Sequence, residues 1–170
     1  GSTVAAGSGL INLGGIMHTS GVAQFTSVTF GPSSTETVKL GVDAGDSTVG
    51  NHSVFIGNIA GYNMGGTNTN STAVGYNAFN DADGMGGASA FGYSAGYAAE
   101  DSSDAVFLGT TAAQSASGLS NAIVIGNSAA NAAVEAQWSI IIGYQAAKNS
   151  SGNDYNTMVG YQAGYQQDNN

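Results

Sequence analysis

The chain repeats one motif eight times, a glycine followed three residues later by an alanine. Successive glycines of this motif are 16, 18, 17, 17, 17, 17 and 17 residues apart, so a single period covers most of the 170 residues. A fixed period with residue types kept at defined offsets is typical of a solenoid, in which one structural unit stacks on the next. The pairs are Gly41/Ala44, Gly57/Ala60, Gly75/Ala78, Gly92/Ala95, Gly109/Ala112, Gly126/Ala129, Gly143/Ala146 and Gly160/Ala163.

A short apolar run precedes each repeat glycine, and its length and β-branched residues predict a strand rather than a helix. Side chains alternate along a strand, so the residues one and three places before the glycine share a face. We interpret that face as the inward one, lined by Leu40, Ile56, Val74, Phe91, Leu108, Ile125, Ile142 and Val159 and by Val38, Val54, Thr72, Ser89, Val106, Ile123, Ile140 and Thr157. The column between them then points outwards and comprises Lys39, Phe55, Ala73, Ala90, Phe107, Val124, Ile141 and Met158.

Seven of these eight outward residues are apolar, so both faces of the strand predict burial. A narrow solenoid has only one interior, and we therefore expect the second face to meet another copy of the chain. The glycine is expected to turn the chain at a corner and the alanine to fill a tight site. The predicted fold is an all-β parallel β-roll or β-solenoid of about eight 17-residue coils, assembled as an intertwined homotrimer. Residues 37–170 form this domain, and residues 1–36, which lack the period, form an N-terminal cap or adaptor.

The composition narrows the range of partners. Two lysines, no arginine and eleven carboxylates give a formal net charge of −9, which disfavours binding to nucleic acid or to an anionic membrane surface. Cysteine is absent, which excludes disulfides and thiolate metal sites. No run of 18 apolar residues occurs, so the sequence predicts no membrane insertion.

Three segments carry wording that is shared with known repeat families. They are residues 53–62 (SVFIGNIAGY), 121–129 (NAIVIGNSA) and 157–165 (TMVGYQAGY). The repeats resemble the Gly-Tyr-Gln-Ala-Gly repeats of bacteriophage tail fibres and the head repeat of YadA-type trimeric autotransporter adhesins. The resemblance covers residues 37–165 and implies a left-handed parallel β-roll in which three chains associate. The period of 17 is longer than is usual in the adhesin heads, and the Tyr-Gln-Ala wording favours the phage family.

Several polar residues are candidates for chemistry, and none is assigned to catalysis, to a cofactor or to a metal. Residues 80–84 (Asn-Asp-Ala-Asp-Gly) have the alternating oxygen groups of a calcium loop but lack its later glutamate. Glu100, Asp101 and Asp104 could supply paired carboxylates for glycoside hydrolysis, or could simply form a solvated loop. His18 and His52 stand in no ligand or triad pattern, so a structural or surface role is expected.

Tyrosines recur at fixed offsets from the repeat glycines and form the most distinctive predicted surface. On a rod they could stack on the sugar rings of a host glycan, or on one another to stabilise the coils. Trp138 is expected in a loop, as a recognition anchor or a local lid. The candidate glycan-contacting residues are Tyr62, Tyr76, Tyr93, Tyr97, Trp138, Tyr144, Tyr161 and Tyr165.

The function expected from these observations is a non-enzymatic segment of a phage tail fibre, either a rigid shaft or the receptor-contacting part, located on the virion. Its partners would be two further copies of itself and a host cell-surface glycan or outer-membrane receptor. The alternatives are a bacterial trimeric adhesin head on the cell surface, a polysaccharide-degrading tailspike and an ice-binding solenoid. The threonines keep no single column, which counts against ice binding.

Overall fold

The computed structural model describes residues 37–45, 52–65, 69–152 and 154–167. These residues form eight three-residue strands and no helix, so they contain no segment that could cross a membrane as a helix. The strands lie in one parallel sheet in chain order, which confirms the predicted all-β solenoid. They are β1 (Val38–Leu40), β2 (Val54–Ile56), β3 (Thr72–Val74), β4 (Ser89–Phe91), β5 (Val106–Leu108), β6 (Ile123–Ile125), β7 (Ile140–Ile142) and β8 (Thr157–Val159). The predicted cap at residues 1–36, with His18, lies outside the described residues.

The coils stack in strict register, so that residues one repeat apart lie directly above one another. Val106 of β5, for example, pairs with Ser89 of β4 and with Ile123 of β6. A second parallel ladder of single bridges runs along another side of the coils, where Glu100 pairs with Asp83 and Ser117. Each coil therefore contacts its neighbours around its circumference, and every offset in the repeat defines a column along the rod.

The segment after each strand is a series of overlapping tight turns. In the fifth coil the amides of Ala112, Gln114 and Ala116 donate to the carbonyl oxygens three residues earlier, each at 3.3 Å. The third residue of each turn has a positive φ, as a type II turn requires, and the values at Thr111 and Ser115 are 52° and 53°. The amides between these bonds pair with adjacent coils, as when Thr111 N–H donates to the Tyr93 carbonyl at 2.9 Å. The turn backbone is thereby hydrogen-bonded without a helix or a long strand.

The repeat glycine turns the chain at the end of the strand. Gly109 has a φ of 137°, which an L residue rarely adopts. A Cβ at this position would lie 2.6 Å from the carbonyl oxygen of Gly126 in the next coil. The glycines of neighbouring coils thus contact one another directly, in a space too small for any side chain.

The repeat alanines line the interior, where the sequence interpretation placed the larger apolar residues of the strand. Their carbonyl groups also link the coils: the Gly45 amide donates to the Ala60 carbonyl at 2.8 Å, and the Ala130 amide donates to the Ala146 carbonyl at the same distance. Because the backbones approach this closely, only a methyl group fits beside the turn. Seven of these alanines are buried, namely Ala44, Ala60, Ala78, Ala95, Ala112, Ala129 and Ala146, and Ala163 in the last coil is partly buried against the same core.

The two faces of the strand are the reverse of those predicted. The middle residue of the strand points into the coil and its neighbours point outwards: Phe107 is fully buried, whereas Val106 and Leu108 are 39% and 46% exposed. The interior is lined largely by alanines from the turns, so it has room for only one side chain from each strand. The buried middle residues are Phe55, Ala73, Ala90, Phe107, Val124, Ile141 and Met158. At the first position of this column the exposed Lys39 donates a hydrogen bond from its amine to the Gly45 carbonyl.

The interior is filled by a trade in volume between two columns. The middle strand residue faces the position four residues after the repeat glycine, and a large side chain in one column is matched by glycine in the other. The ring of Phe55 fills the space beside Gly45 and Gly61, where a built Cβ would collide with it. Such compensation keeps the interior close-packed although the individual residues vary in size.

Phe79 shows the same trade in the opposite sense. It comes from the turn column rather than from the strand, and it is fully buried beside the small strand residue Ala90. Its Cδ1 lies 2.5 Å from the Cβ position of Gly96. Its ring also meets the ring of Phe107 edge to face, with centroids 6.0 Å apart. One phenylalanine from a turn therefore occupies the space that a strand residue occupies elsewhere in the rod.

Candidate functional site

The outward residues of β1–β8, the first and third of each strand, form a continuous surface that we call the outer sheet face. This surface is apolar in most positions, although the sequence interpretation placed it inside. Eight of its side chains are between 37% and 63% exposed. They are Leu40, Ile56, Phe91, Val106, Leu108, Ile123, Ile140 and Val159. The chain thus buries alanines and exposes larger aliphatic and aromatic groups, which is the reverse of a self-sufficient core and marks an interaction surface.

The repeat alanines contribute nothing to the exposed surfaces of the rod. Their methyl groups pack into the interior, so they shape the coil and are not available to a ligand or a second chain. The same holds along the whole column, from Ala44 through Ala60, Ala78, Ala95, Ala112, Ala129 and Ala146 to the half-buried Ala163. The candidate contact residues therefore lie only in the strands and in the outward positions of the turns.

A second surface, the tyrosine column, consists of the residues that directly follow the repeat glycines. Four of the candidate glycan-contacting tyrosines lie in it as two stacked pairs. Tyr76 and Tyr93 have ring centroids 5.3 Å apart and planes at 13°. Tyr144 and Tyr161 have centroids 5.4 Å apart and planes at 11°. The expected stacking of the tyrosines on one another is therefore confirmed for these two pairs, and all four rings remain exposed.

The residues beside the tyrosine column carry polar groups that bond from coil to coil. The Asn77 amide donates to the Ser94 hydroxyl at 3.2 Å next to the first tyrosine pair. The Gln162 amide donates to Gln145 Oε1 at 2.9 Å next to the second pair. Aromatic rings and amide groups thus lie side by side on one exposed face of the rod, an arrangement suited to ligands with both apolar faces and hydroxyl groups.

Trp138 lies in a turn, as the sequence predicts, but it is not alone. Its ring is parallel to that of Tyr155 in the next coil, with centroids 6.5 Å apart and planes at 4°, and the two side chains are 55% and 77% exposed. Both residues have a positive φ, where most of the column holds histidine, asparagine, aspartate or glycine. Tyr155 was missed by the sequence reasoning, although its position 17 residues after Trp138 was a sufficient signal.

The remaining candidate tyrosines are not brought together. Tyr62, Tyr97 and Tyr165 share a column, but Tyr62 and Tyr97 are separated by the coil of Asn80, and Tyr165 lies four coils beyond Tyr97. Tyr62 and Tyr97 are also partly buried, whereas Tyr165 is 37% exposed. These three side chains therefore form no common surface.

The groups resembling a calcium loop do not converge. Asn80 is buried and its amide donates to Asn77 Oδ1 at 2.6 Å, whereas Asp81 and Asp83 are exposed. Asp81 accepts a hydrogen bond from the Asn63 amide, and Asp83 accepts one from the Gly84 amide. Among the residues that the structure describes, no three His, Cys, Asp or Glu side chains are grouped as metal ligands.

The second acidic segment lies at the edge of an open cavity of about 340 Å³ lined by Gly84, Gly86, Asp101, Ser103 and Ser120. Asp101 and Asp104 lie against Gly84 and Gly87 of the preceding coil. Glu100 belongs to the adjoining ladder of bridges and does not line the cavity. His52 is exposed in a turn. The chain matches no protein-family model, no curated protein and no solved structure.

Proposed function

We propose that the chain is a segment of a homotrimeric attachment fibre, of the kind found in phage tail fibres, and that it acts without catalysis as a shaft or as the receptor-contacting part. The single observation that carries this proposal is the outer sheet face, because large apolar side chains are exposed there while alanines fill the interior. Its place is the virion, with a bacterial adhesin head on the cell surface as the alternative that shares the same architecture.

The outer sheet face is large enough to drive association. With seven coil intervals of roughly 4.8 Å it extends over about 34 Å along the rod. Full burial of an aliphatic side chain contributes about 1.5–3 kcal/mol, so burying the exposed part of each of the eight residues named above contributes about 1 kcal/mol. Three copies with these faces turned towards a common axis would remove all of this surface from water. The resemblance of the repeats to trimeric families favours three copies over two.

Assembly would also explain how an attachment segment works without a strong single site. Three identical chains present every surface feature three times, and simultaneous engagement raises the overall affinity far above that of one site. The residues that would contact the receptor are the exposed aromatic rings and the amides beside them. The outer sheet face is then structural, and the tyrosine column and the Trp138–Tyr155 pair are the recognition surfaces.

The test is the solution mass of the purified chain by light scattering after size exclusion. A mass three times that of the 16.8 kDa chain is expected. The Leu108→Asp variant places a charge in the centre of the outer sheet face and should lower the mass, because the charge would be buried in the assembly. Ser115→Asp is the matched control, since Ser115 is exposed in a turn with a φ of 53° that aspartate tolerates, and it should keep the mass unchanged.

Circular dichroism of the same samples separates loss of assembly from loss of the fold. A wild-type chain that stays monomeric with a β-sheet spectrum would contradict the trimer, as would a dimer. Release of reducing sugar from capsular polysaccharide or lipopolysaccharide would contradict the non-enzymatic role and favour a polysaccharide-degrading tailspike.

A further inference from the structure

The tyrosine column is interrupted by a gap of two coils. Thr111 N–H donates to the Tyr93 carbonyl, Ser128 N–H to the Thr110 carbonyl and Gln145 N–H to the Asn127 carbonyl, each at 2.9 Å. These bonds place Tyr93, Thr110, Asn127 and Tyr144 on one line in four successive coils. At roughly 4.8 Å per coil, the two tyrosines are about 14 Å apart. We call the space between them the notch.

The walls of the notch are two aromatic ring faces. Parallel rings with centroids 5.3 or 5.4 Å apart must overlap face to face in an offset stack, because rings lying side by side at this distance would collide. One face of Tyr93 is therefore covered by Tyr76, and the other is turned towards the coil of Thr110. In the same way Tyr161 covers one face of Tyr144, and the other is turned towards Asn127. Tyr93 and Tyr144 are 55% and 46% exposed.

The floor of the notch is polar and low. Thr110 and Asn127 are exposed, and both are shorter than the tyrosines on either side. The Ser128 hydroxyl donates to Asn127 Oδ1 at 2.9 Å, which orients the carboxamide and turns its N–H donors away from Ser128. Thr111 Oγ1 lies 3.0 Å from Ser128 Oγ and also donates to the Thr110 carbonyl at 2.8 Å. Hydroxyl and amide groups are thus fixed between the two aromatic walls.

We propose that the notch is a binding subsite for neutral carbohydrate, with the ring faces of Tyr93 and Tyr144 packed on pyranose rings and with Thr110 and Asn127 bonded to their hydroxyl groups. A pyranose has an apolar face and a hydroxyl edge, which match the apolar walls and the polar floor of a concave site. With about 3.5 Å taken up by van der Waals thickness, roughly 10 Å remains between the walls, enough for two sugar rings.

The charge of the chain favours a neutral glycan over an anionic ligand. The formal net charge is −9, and the only two basic residues apart from histidine, Lys39 and Lys148, belong to other columns. A phosphate or sialic acid group would therefore find no cation in the notch and an unfavourable field around it. This proposal rests on the attachment role proposed above but not on the number of chains.

The test uses the full chain with ¹³C-labelled tyrosine rings, followed by NMR. The probes are di-, tri- and tetrasaccharides of glucose, galactose, mannose and N-acetylglucosamine at millimolar concentrations. At least one probe should shift the ring signals of Tyr93 and Tyr144. Tyr93→Ala and Tyr144→Ala should each weaken binding roughly three- to tenfold, because each removes one stacking wall. Tyr155→Ala, an exposed tyrosine outside the column, is the matched control and should leave binding unchanged.

A variant that fills the notch keeps the proposal falsifiable if the alanine variants fold poorly. Thr110→Tyr extends the stack of Tyr93 with a residue that four other coils already carry at this position, and it should abolish binding. If no probe shifts the signals of Tyr93 or Tyr144, or if Thr110→Tyr binds as well as the unmodified chain, the proposal is wrong. A lower mass of Tyr93→Ala in light scattering would assign the column to the interface between copies instead. A monomer that binds sugar would overturn the trimer alone, and a trimer without binding would overturn the notch alone.

Discussion

The volume trade inside the rod predicts that a phenylalanine can be moved from a turn to a strand. The paired change is Phe79→Gly with Ala90→Phe. It would convert the sequence of interior residues around the fourth coil into that around Phe55, a phenylalanine between the glycines Gly45 and Gly61. The new ring at position 90 would lie between glycines at positions 79 and 96, in the space that the Phe79 ring now fills.

The magnitudes follow from the burial of the two sites. Removing a buried phenylalanine side chain costs about 3–5 kcal/mol, and Phe79 has a φ of 53°, so glycine there recovers about 1–2 kcal/mol of backbone strain. Phe79→Gly alone should therefore destabilise the fold by about 2–4 kcal/mol. Ala90→Phe alone forces a second ring into an occupied space and should cost about 1–3 kcal/mol or more. The double variant should unfold within about 1 kcal/mol of the unmodified chain.

The assay is denaturant unfolding of the four proteins at one fixed protein concentration, because association makes the apparent stability depend on concentration. The coupling free energy from the double-mutant cycle should be at least about 2 kcal/mol in the stabilising direction. If the two losses simply add, the ring of Phe79 does not occupy the space that a strand residue at position 90 would fill, and the volume trade is refuted.

Two further predictions concern the backbone of the turns. Gly109→Ala should cost about 3 kcal/mol or more, because a Cβ would meet the carbonyl of the next coil; Gly160→Ala has the same φ region but nothing within 4 Å, so its smaller loss of melting temperature isolates the strain alone. Ala132→Asn should raise the free energy of unfolding by up to about 1 kcal/mol, since Ala132 is exposed with a φ of 53° and Asn149 occupies the same position in the next coil; a loss of stability would contradict the assignment.

The sequence was sufficient for the architecture but not for the orientation of the strand. The period of Gly109 and its equivalents defines the coil length, the strand positions and the register, all of which the structure confirms. Orientation was wrong because alternation separates two faces without saying which is inside, and both faces are apolar. The useful sign was variation in size: residues such as Phe107 and Ala90 alternate in the interior column, where a second column compensates them, while the outer column stays large.

The partnerships of individual side chains were predictable only where the period was applied to every aromatic residue. Tyr76 with Tyr93 follows from the spacing of 17, and so does Trp138 with Tyr155, which was overlooked because their segment was assigned to a loop. Phe79 could not be placed, because it follows an alanine at a position where other coils carry glycine or alanine. Its burial depends on the smallness of Ala90 and Gly96 in the next coil, a relation between columns rather than within one.

The hydrogen bonds of the turns have a mechanical consequence for a fibre. Amides around the circumference of one coil donate to the next, as Ser128 does to Thr110, Ala132 to Gln114 and Trp138 to Ser120. These bonds run along the rod, so a pull on its ends loads the whole ring of bonds between two coils together. A coil in the middle cannot yield one bond at a time, and the rod should lose its structure from its ends inwards while carrying tension through its centre.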